Sequence, residues 1–202
     1  MKRAYLLRHG MTEANKKRLY CGWTDIPLSE EGRSALLRLR ASMHYPDITG
    51  LRVYTSGMLR TEETLSLLFG QVPHTPVPGL REMNFGAFEM HGYEELKNDP
   101  AYLEWISGEN EKKCCPGGES GEDMTERVLT GFTRLLAQDG DFLVLAHGGP
   151  IAAIMTRLFP ESGKNRYEWQ PAGGTGYEID FLDGRPQRWK HVPIPGKTPD
   201  ER

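Results

Sequence analysis

The sequence Ala4-Tyr5-Leu6-Leu7-Arg8-His9-Gly10-Met11-Thr12-Glu13-Ala14-Asn15 decides the fold. Its apolar run at residues 4–7 predicts a buried strand, because the run is brief and ends close to a glycine. Ligands of open α/β sheets bind at the carboxyl ends of strands, which is where Arg8, His9 and Gly10 stand. A guanidinium can hold an anion, an imidazole can act as nucleophile or proton carrier, and a glycine lets backbone N–H groups approach a phosphate. A histidine after a strand is more often packed or solvated, so this anion site needs partners elsewhere in the chain.

Length and composition suit a globular protein with one sizeable core. The chain has 202 residues, of which 38% are apolar and 26% charged, and its formal net charge is −3. We therefore expect a single domain over residues 1–202. The mildly acidic balance disfavours nucleic acid and acidic membranes as main partners, and no apolar run approaches the roughly 20 residues that span a bilayer.

The cysteines and histidines give no sign of a disulfide framework or a metal site. The three cysteines are Cys21, Cys114 and Cys115, an odd number with a vicinal pair, which favours a reducing cytoplasm. They lack paired Cys-x-x-Cys spacing, and the six histidines lack ligand spacing on one helix. We expect no metal and no cofactor.

Strand and helix signals alternate along the chain. Strands are predicted at residues 4–7, 51–55, 74–77, 142–146, 177–182 and 187–192, and helices at about 29–43, 58–68, 123–138 and 151–158. This alternation predicts a three-layer α/β/α sandwich around a mainly parallel sheet. Residues 87–120, with short helical pieces near 93–96 and 101–106, predict a cap-like insertion, and residues 193–202 a flexible tail.

Three further residues are expected at the same sheet edge. His147-Gly148 ends the apolar strand at 142–146 much as His9-Gly10 ends the first strand, so two imidazoles would meet. Arg60 falls in the first turn of the helix after the second strand. Glu82, in a connection, has the chemistry of a proton donor. Taken singly, a helical arginine or a loop carboxylate is usually exposed, so the prediction rests on their combination.

The combination resembles the histidine phosphatase superfamily, which includes the cofactor-dependent phosphoglycerate mutases. The similarity runs from about residue 4 to 182 and is carried by Arg8-His9-Gly10, Thr12, Asn15, Ser56, Arg60, Thr64, Glu82, Phe85-Gly86 and His147-Gly148. It implies that His9 is the nucleophile that becomes phosphorylated and that Glu82 is the general acid. The residues that it implies for phosphate and substrate binding are Arg8, Asn15, Arg60, His147 and Gly148.

The implied chemistry is that of a metal-independent phosphomonoesterase acting on a small phosphorylated metabolite. Phosphoryl transfer needs charge stabilisation on the equatorial oxygens, which two arginines and a second imidazole can supply. His9 must attack through an unprotonated nitrogen, so we expect its other N–H to donate to a backbone carbonyl. Glu82 would protonate the leaving alkoxide and later deprotonate the attacking water.

The segment after Glu82 favours a phosphatase over a mutase. Mutases of the superfamily carry a longer basic insertion there, whereas residues 87–120 hold only three lysines, Lys97, Lys112 and Lys113, and no arginine. The patterns Phe85-Gly86-Ala87-Phe88-Glu89 and Gly118-Glu119-Ser120 resemble small bacterial-type phosphatases, nearest to the α-ribazole-phosphate and broad-specificity groups. The alternatives to a phosphatase are a mutase, a non-catalytic phospho-ligand binding protein, or a metal hydrolase. For the oligomeric state we expect a monomer or a homodimer.

Two departures from the family pattern are expected to alter the pocket lining and so the substrate. Met11 stands where the family often has an acidic residue or glutamine, and Met90 replaces the glycine of Phe-Glu-Gly. Five aromatic residues are candidates to enclose the leaving group, although core positions are the commoner role for such side chains. They are Trp23, Phe85, Phe88, Tyr93 and Trp105.

Overall fold

The computed structural model describes residues 1–107 and 111–195. The strands are β1 Lys2–Arg8, β2 Met43–His44, β3 Arg52–Thr55, β4 Thr75–Pro76, β5 Phe142–Ala146, β6 Gly176–Leu182, β7 Arg185–Val192 and β8 Ile194–Pro195. The α-helices are α1 Glu13–Lys17, α2 Glu30–Ser42, α3 Leu59–Phe69, α4 Tyr93–Leu96, α5 Pro100–Ile106, α6 Gly121–Leu136 and α7 Gly148–Leu158. Each predicted strand and helix is present, with bounds that shift by three residues at most.

The main sheet has six strands in the order β4-β3-β5-β1-β6-β7. The pairs β4–β3, β3–β5 and β5–β1 are parallel, and β1–β6 and β6–β7 are antiparallel. Arg8 pairs with Ala146, and Thr55 pairs with Leu145. Strands β1, β3 and β5 therefore end at the same level of the sheet, and the residues that follow them lie at one edge. The predicted mainly parallel sheet is confirmed.

The central strand β5 is buried on both faces. All five of its residues are buried, as expected for a continuous apolar run between two helical layers. Phe142 and Val144 pack in a cluster with Phe132 of α6, while Leu143 packs in a second cluster with Leu65 of α3. Alternate side chains thus face opposite layers, which confirms the α/β/α sandwich.

Helix caps explain where two helices begin. Ser29 accepts from the Gly32 N–H at the start of α2, the N-cap role that a serine at this position favours. Ser120 and Asp123 form a capping box, so α6 begins at Gly121, two residues earlier than the apolar pattern predicts. In the described ranges, no helix is both long and apolar enough to cross a membrane.

The predicted cap at residues 87–120 consists of a turn, α4 and α5, and a return segment. The Met90 N–H donates to the Tyr20 carbonyl, and the Tyr20 N–H donates to the His91 carbonyl, so the cap begins attached to the loop after α1. Residues 108–110 lie outside the described residues. That the whole chain forms one domain stays a prediction.

The tail predicted to be flexible from residue 193 onward instead begins with a short strand, β8. Ile194 and Pro195 pair with His44 and Met43 in a two-stranded antiparallel sheet. The remainder of the predicted tail, residues 196–202, lies outside the described residues.

Met90 has a left-handed backbone conformation, with φ of 62°. In that region a Cβ atom crowds the following carbonyl, which costs a non-glycine residue about 1–2 kcal/mol. The glycine that the family pattern has at this position would adopt the same conformation without strain. The replacement therefore affects the backbone of the turn that presents Glu89.

We predict that Met90→Gly raises the free energy of unfolding by about 1 kcal/mol, because it relieves this strain. Urea unfolding at pH 7 measures the change. Met43→Gly is the matched control: Met43 has φ of −123°, so glycine there should lower stability. A Met90→Gly variant less stable than the natural chain would contradict the prediction.

Candidate active site

His9 follows β1 and lies almost wholly buried, with 6% of its surface exposed. Its Nδ1 lies 2.6 Å from the Gly10 carbonyl oxygen. A carbonyl only accepts, so Nδ1 carries the proton and Nε2 keeps its lone pair. Burial, and then the positive charges of Arg60 and Arg8, hold the pKa of His9 well below its ordinary value. The imidazole is therefore neutral at pH 7, as a nucleophile requires.

His147 follows β5 and is fully buried, with its ring centroid 5.0 Å from that of His9. The Arg60 Nε–H donates to its Nδ1 over 3.3 Å, so its Nε2 carries the proton and donates to the Ser56 hydroxyl over 2.8 Å. Burial and the adjacent Arg60 hold the pKa of His147 well below its ordinary value. The predicted pairing of two imidazoles at one sheet edge is present, and both rings are neutral.

Arg60 lies in the first turn of α3 and is 1% exposed. Besides His147, its guanidinium donates to the carbonyls of Gly22, over 2.6 Å, and Thr24, over 3.1 Å. These bonds use three of its five N–H groups. Carbonyl oxygens hold the cation in place without cancelling its charge, so the remaining N–H groups can bind an anion.

Helix α3 also fixes the loop after β1. The Thr64 hydroxyl donates to the Arg60 carbonyl over 2.7 Å and accepts from the Gly10 N–H over 2.9 Å. Thr61 and Thr64 are both fully buried on the side of the helix that carries Arg60. One helix therefore positions both the guanidinium and the backbone beside His9.

Arg8 reaches the site from the end of β1. Its Nη1 donates to the Pro171 carbonyl over 2.9 Å. Burial lowers the pKa of Arg8 and of Arg60, but the ordinary value is so high that both stay charged at pH 7. Two guanidinium groups thus surround the imidazole pair.

Glu82 lies at the N-terminus of α7. Its Oε2 accepts from the Gly149 N–H over 3.0 Å, and its Oε1 accepts from the Met83 N–H over 2.9 Å. A Cβ atom on Gly149 would stand 2.3 Å from Oε1, so only glycine allows this approach. The Glu82 carbonyl accepts from Arg127 of α6 over 3.2 Å and from the indole of Trp23 over 3.0 Å. The carboxyl is therefore held from both its side chain and its backbone.

A cavity of about 510 Å³ opens onto this edge. Its lining includes Arg8, Glu82 and Gly149. Four aromatic side chains also line it, namely Tyr20, Phe85, Trp105 and Tyr167. Glu111 and Arg166, also lining residues, form an ion pair that joins the return segment of the cap to the connection between α7 and β6.

The expectations for the cavity wall hold for some residues and fail for others. Phe85 and Trp105 line it, whereas Phe88 is core, and Trp23 and Tyr93 are exposed and do not line it. Among the described residues, the lining also excludes the two methionines expected there, Met11 and Met90. The Met11 carbonyl accepts from Ser29, and Met90 forms a left-handed turn.

Asn15 and Gly148, also predicted to bind the substrate, lie in different surroundings from each other. The Asn15 side chain is exposed, and its oxygen accepts from the N–H and the hydroxyl of Thr12, each over 3.0 Å, so it caps α1. Gly148 begins α7 directly after His147. Their roles in binding stay predictions. In the described part of the chain, no three His, Cys, Asp or Glu side chains group closely enough to hold a metal ion.

Sequence reasoning missed Arg127 and the residues 166–170 that line or support the cavity. Arg127 donates to the carbonyls of Gly79, Arg81 and Glu82 and pairs with Glu119. On the sequence it is one more charged residue of an amphipathic helix, and no local pattern distinguishes it. The 166–170 segment follows a helix that starts at the site edge, which was the one signal that could have found it.

Comparisons with known proteins agree with this geometry. The model of the histidine phosphatase superfamily (branch 1) matches residues 4–191. An adenosylcobalamin/alpha-ribazole phosphatase of Salmonella typhimurium is 29% identical over 188 residues, covering 90% of this chain and 92% of the relative. A 2,3-bisphosphoglycerate-dependent phosphoglycerate mutase of Xanthobacter autotrophicus is 29% identical over 163 residues, covering 76% and 79%.

Solved structures share the fold over nearly the whole chain. A structure from Escherichia coli superposes with a TM-score of 0.81 at 24% identity and covers 96% of both chains. YhfR of Bacillus stearothermophilus superposes with a TM-score of 0.75 at 26% identity and covers 93% of this chain and 95% of its own. With the family model matching residues 4–191, this chain belongs to the histidine phosphatase superfamily, as its sequence motifs predict.

Proposed function

We propose that the protein is a metal-independent phosphomonoesterase that works through a phosphohistidine at His9. The observation that carries the proposal is the state of His9, a neutral imidazole whose Nδ1–H donates to the Gly10 carbonyl and whose Nε2 lone pair is free. Within residues 1–107 and 111–195, that Nε2 has no hydrogen-bond partner. Arg8 and Arg60 surround it with the charge that a phosphate dianion needs.

The reaction would proceed in two transfers. In the first, His9 Nε2 attacks phosphorus, the bond from phosphorus to the ester oxygen breaks, and Glu82, entering as the carboxylic acid, gives that oxygen its proton. In the second, water attacks the phosphohistidine, Glu82 takes a proton from the water, and the N–P bond breaks with its electrons returning to Nε2. The net change is an ester and water giving an alcohol and phosphate.

The charges around the cavity favour hydrolysis over a bisphosphate-dependent isomerisation. Of the described residues that line the cavity, only Arg8 and Arg166 are cationic, and Arg166 is paired with Glu111. Two lysines of the cap are also paired, Lys97 with Glu94 and Lys113 with Glu104. A second phosphate of a bisphosphorylated intermediate would meet cations that already have anionic partners.

The aromatic residues of the cavity lining support a substrate with a flat, ring-bearing leaving group. Tyr20, Phe85 and Trp105 form edge-on or tilted ring contacts with one another, with centroids 5.1–6.4 Å apart. Because relatives are named alpha-ribazole phosphatases, we infer alpha-ribazole 5′-phosphate as the first candidate substrate.

The proposal also covers the substrate class, location, oligomeric state and partners of the enzyme. We infer a small phosphorylated substrate, a cytoplasmic location and a monomer or homodimer without nucleic-acid or membrane partners. All three cysteines are free thiols, which fits the reducing conditions of that location.

We expect His9→Asn to reduce turnover of p-nitrophenyl phosphate at least about a thousandfold, because it removes the attacking nitrogen. Acid quenching of the natural enzyme during turnover should yield acid-labile, base-stable protein phosphate, absent from the variant. His44→Asn, at an exposed histidine of β2, is the matched control and should keep full activity. Retained turnover in folded His9→Asn would remove the mechanism. Loss of activity in strong chelator would show that a metal takes part.

We expect Trp105→Leu to lower kcat/KM for alpha-ribazole 5′-phosphate about tenfold and to leave kcat/KM for glycerol phosphate within about twofold. Only the first substrate has a ring to contact the aromatic wall. Steady-state kinetics with both substrates, and a test for 2,3-bisphosphoglycerate-dependent isomerisation, give the measurement. Equal losses for the two substrates would show that the wall does not select the leaving group.

The buried histidines predict how stability depends on pH. Their pKa is lower in the folded than in the unfolded chain, so unfolding takes up protons once the pH is below about 6.5. Their contribution is fully present above that pH and is lost as the pH falls toward the folded value, at up to about 1.4 kcal/mol per pH unit for each histidine.

We therefore expect His9→Asn to flatten the dependence of the unfolding free energy on pH between 7 and 5. Urea unfolding across this range measures the slope. The His44→Asn control should keep the slope of the natural chain, and the same slope in all three proteins would contradict the assignment of a neutral His9.

A further inference from the structure

Glu89, on the turn that begins the cap, receives an unusual number of hydrogen bonds. Its carboxylate accepts from the N–H groups of Gly22, Trp23 and Thr24 over 2.8–3.1 Å. It also accepts from the Thr24 hydroxyl over 2.7 Å and from the Phe85 N–H over 3.1 Å. Five donors therefore converge on one carboxylate, three of them consecutive backbone groups of residues 22–24.

The opposite side of the same backbone segment holds Arg60. The carbonyls of Gly22 and Thr24 accept from the Arg60 guanidinium, and the Arg60 Nε–H reaches His147. Residues 22–24 thus lie between a carboxylate and a guanidinium, with N–H groups toward the anion and carbonyls toward the cation. Each peptide dipole is favourable to both charges in this orientation, and hydrogen bonds so aligned strengthen one another.

Close packing restricts the backbone of residues 22–24 to this conformation. A Cβ atom on Gly22 would stand 1.6 Å from the Met83 carbonyl oxygen and 2.9 Å from Glu89 Oε1. The segment therefore lies directly against the backbone next to Glu82. Without the Glu89 carboxylate, three adjacent N–H groups would lose their acceptor, and the carbonyls that hold Arg60 would lose their fixed orientation.

We propose that Glu89 is a positioning residue that fixes the Arg60 guanidinium for phosphate binding through the backbone of residues 22–24. This inference rests on the proposed function, because it takes Arg60 to be a phosphate ligand. A glutamine at position 89 would direct an NH₂ group at backbone donors, so the substitution tests the need for an acceptor on both oxygens.

Binding of inorganic phosphate, measured by titration calorimetry, separates this role from general support of the fold. We expect Glu89→Gln to weaken phosphate binding about tenfold in the natural background. In an Arg60→Lys background, which keeps a cation but loses the planar fork, the same change should cost less than about twofold. Such a dependence on Arg60 is not expected of a residue that only stabilises the chain.

Asp180→Asn is the control for loss of a hydrogen-bonded carboxylate far from Arg60. Asp180 is 6% exposed and pairs with Arg3 and Arg188 on the antiparallel side of the sheet. It should lower the unfolding midpoint and leave phosphate affinity unchanged. Glu89→Asp, which keeps the charge on a shorter side chain, should recover part of the affinity lost in Glu89→Gln.

Two results would overturn the proposal. One is an equal loss of phosphate affinity with and without Arg60, and the other is unchanged affinity in Glu89→Gln despite lower stability. If Glu89→Gln does not fold, Thr24→Val removes one donor to Glu89, and its expected threefold loss should likewise vanish in Arg60→Lys. Phosphate binding is read without turnover, so a failure here is distinct from a failure of the proposed phosphatase activity.

Discussion

The site depends on the parallel register that ends three strands at one level. Pairing of Arg8 with Ala146, and of Thr55 with Leu145, brings the residues after β1, β3 and β5 to a common edge. His9, Ser56 and His147 then lie within reach of one another without any long loop to order. A slip of one residue in any of these pairs would turn the side chains to the other face and separate the imidazoles.

The same edge must hold two cations inside a chain whose net charge is negative. Backbone carbonyls hold both guanidinium groups, that of Pro171 for Arg8 and those of Gly22 and Thr24 for Arg60. A carboxylate in these places would neutralise the site before a phosphate arrived. Carbonyls satisfy the N–H groups and leave the positive charge in place. Burial, and then that charge, keeps the pKa of both histidines well below the ordinary value.

The sequence was sufficient to predict the features that depend on local pattern or on a shared motif. The apolar run at Phe142–Ala146 and the Ser29 cap have local causes, and His9, Arg60 and Glu82 stand in recognisable motifs. Contacts between distant segments were not predictable in this way. Glu89 meets residues 65 to 67 positions earlier, and its importance comes from backbone groups, which every residue has. The left-handed turn at Met90 was not predictable from the sequence either, because methionine disfavours this backbone conformation.

The carbonyl-held arginines also have a consequence for the end of the catalytic cycle. A site whose cations stay uncompensated is complementary to the free phosphate that hydrolysis leaves behind, as well as to the ester that enters. Under the proposed mechanism, departure of this product would break the same contacts that hold the phosphoryl group during transfer. The way Arg8 and Arg60 are held thus suits the product as well as the substrate.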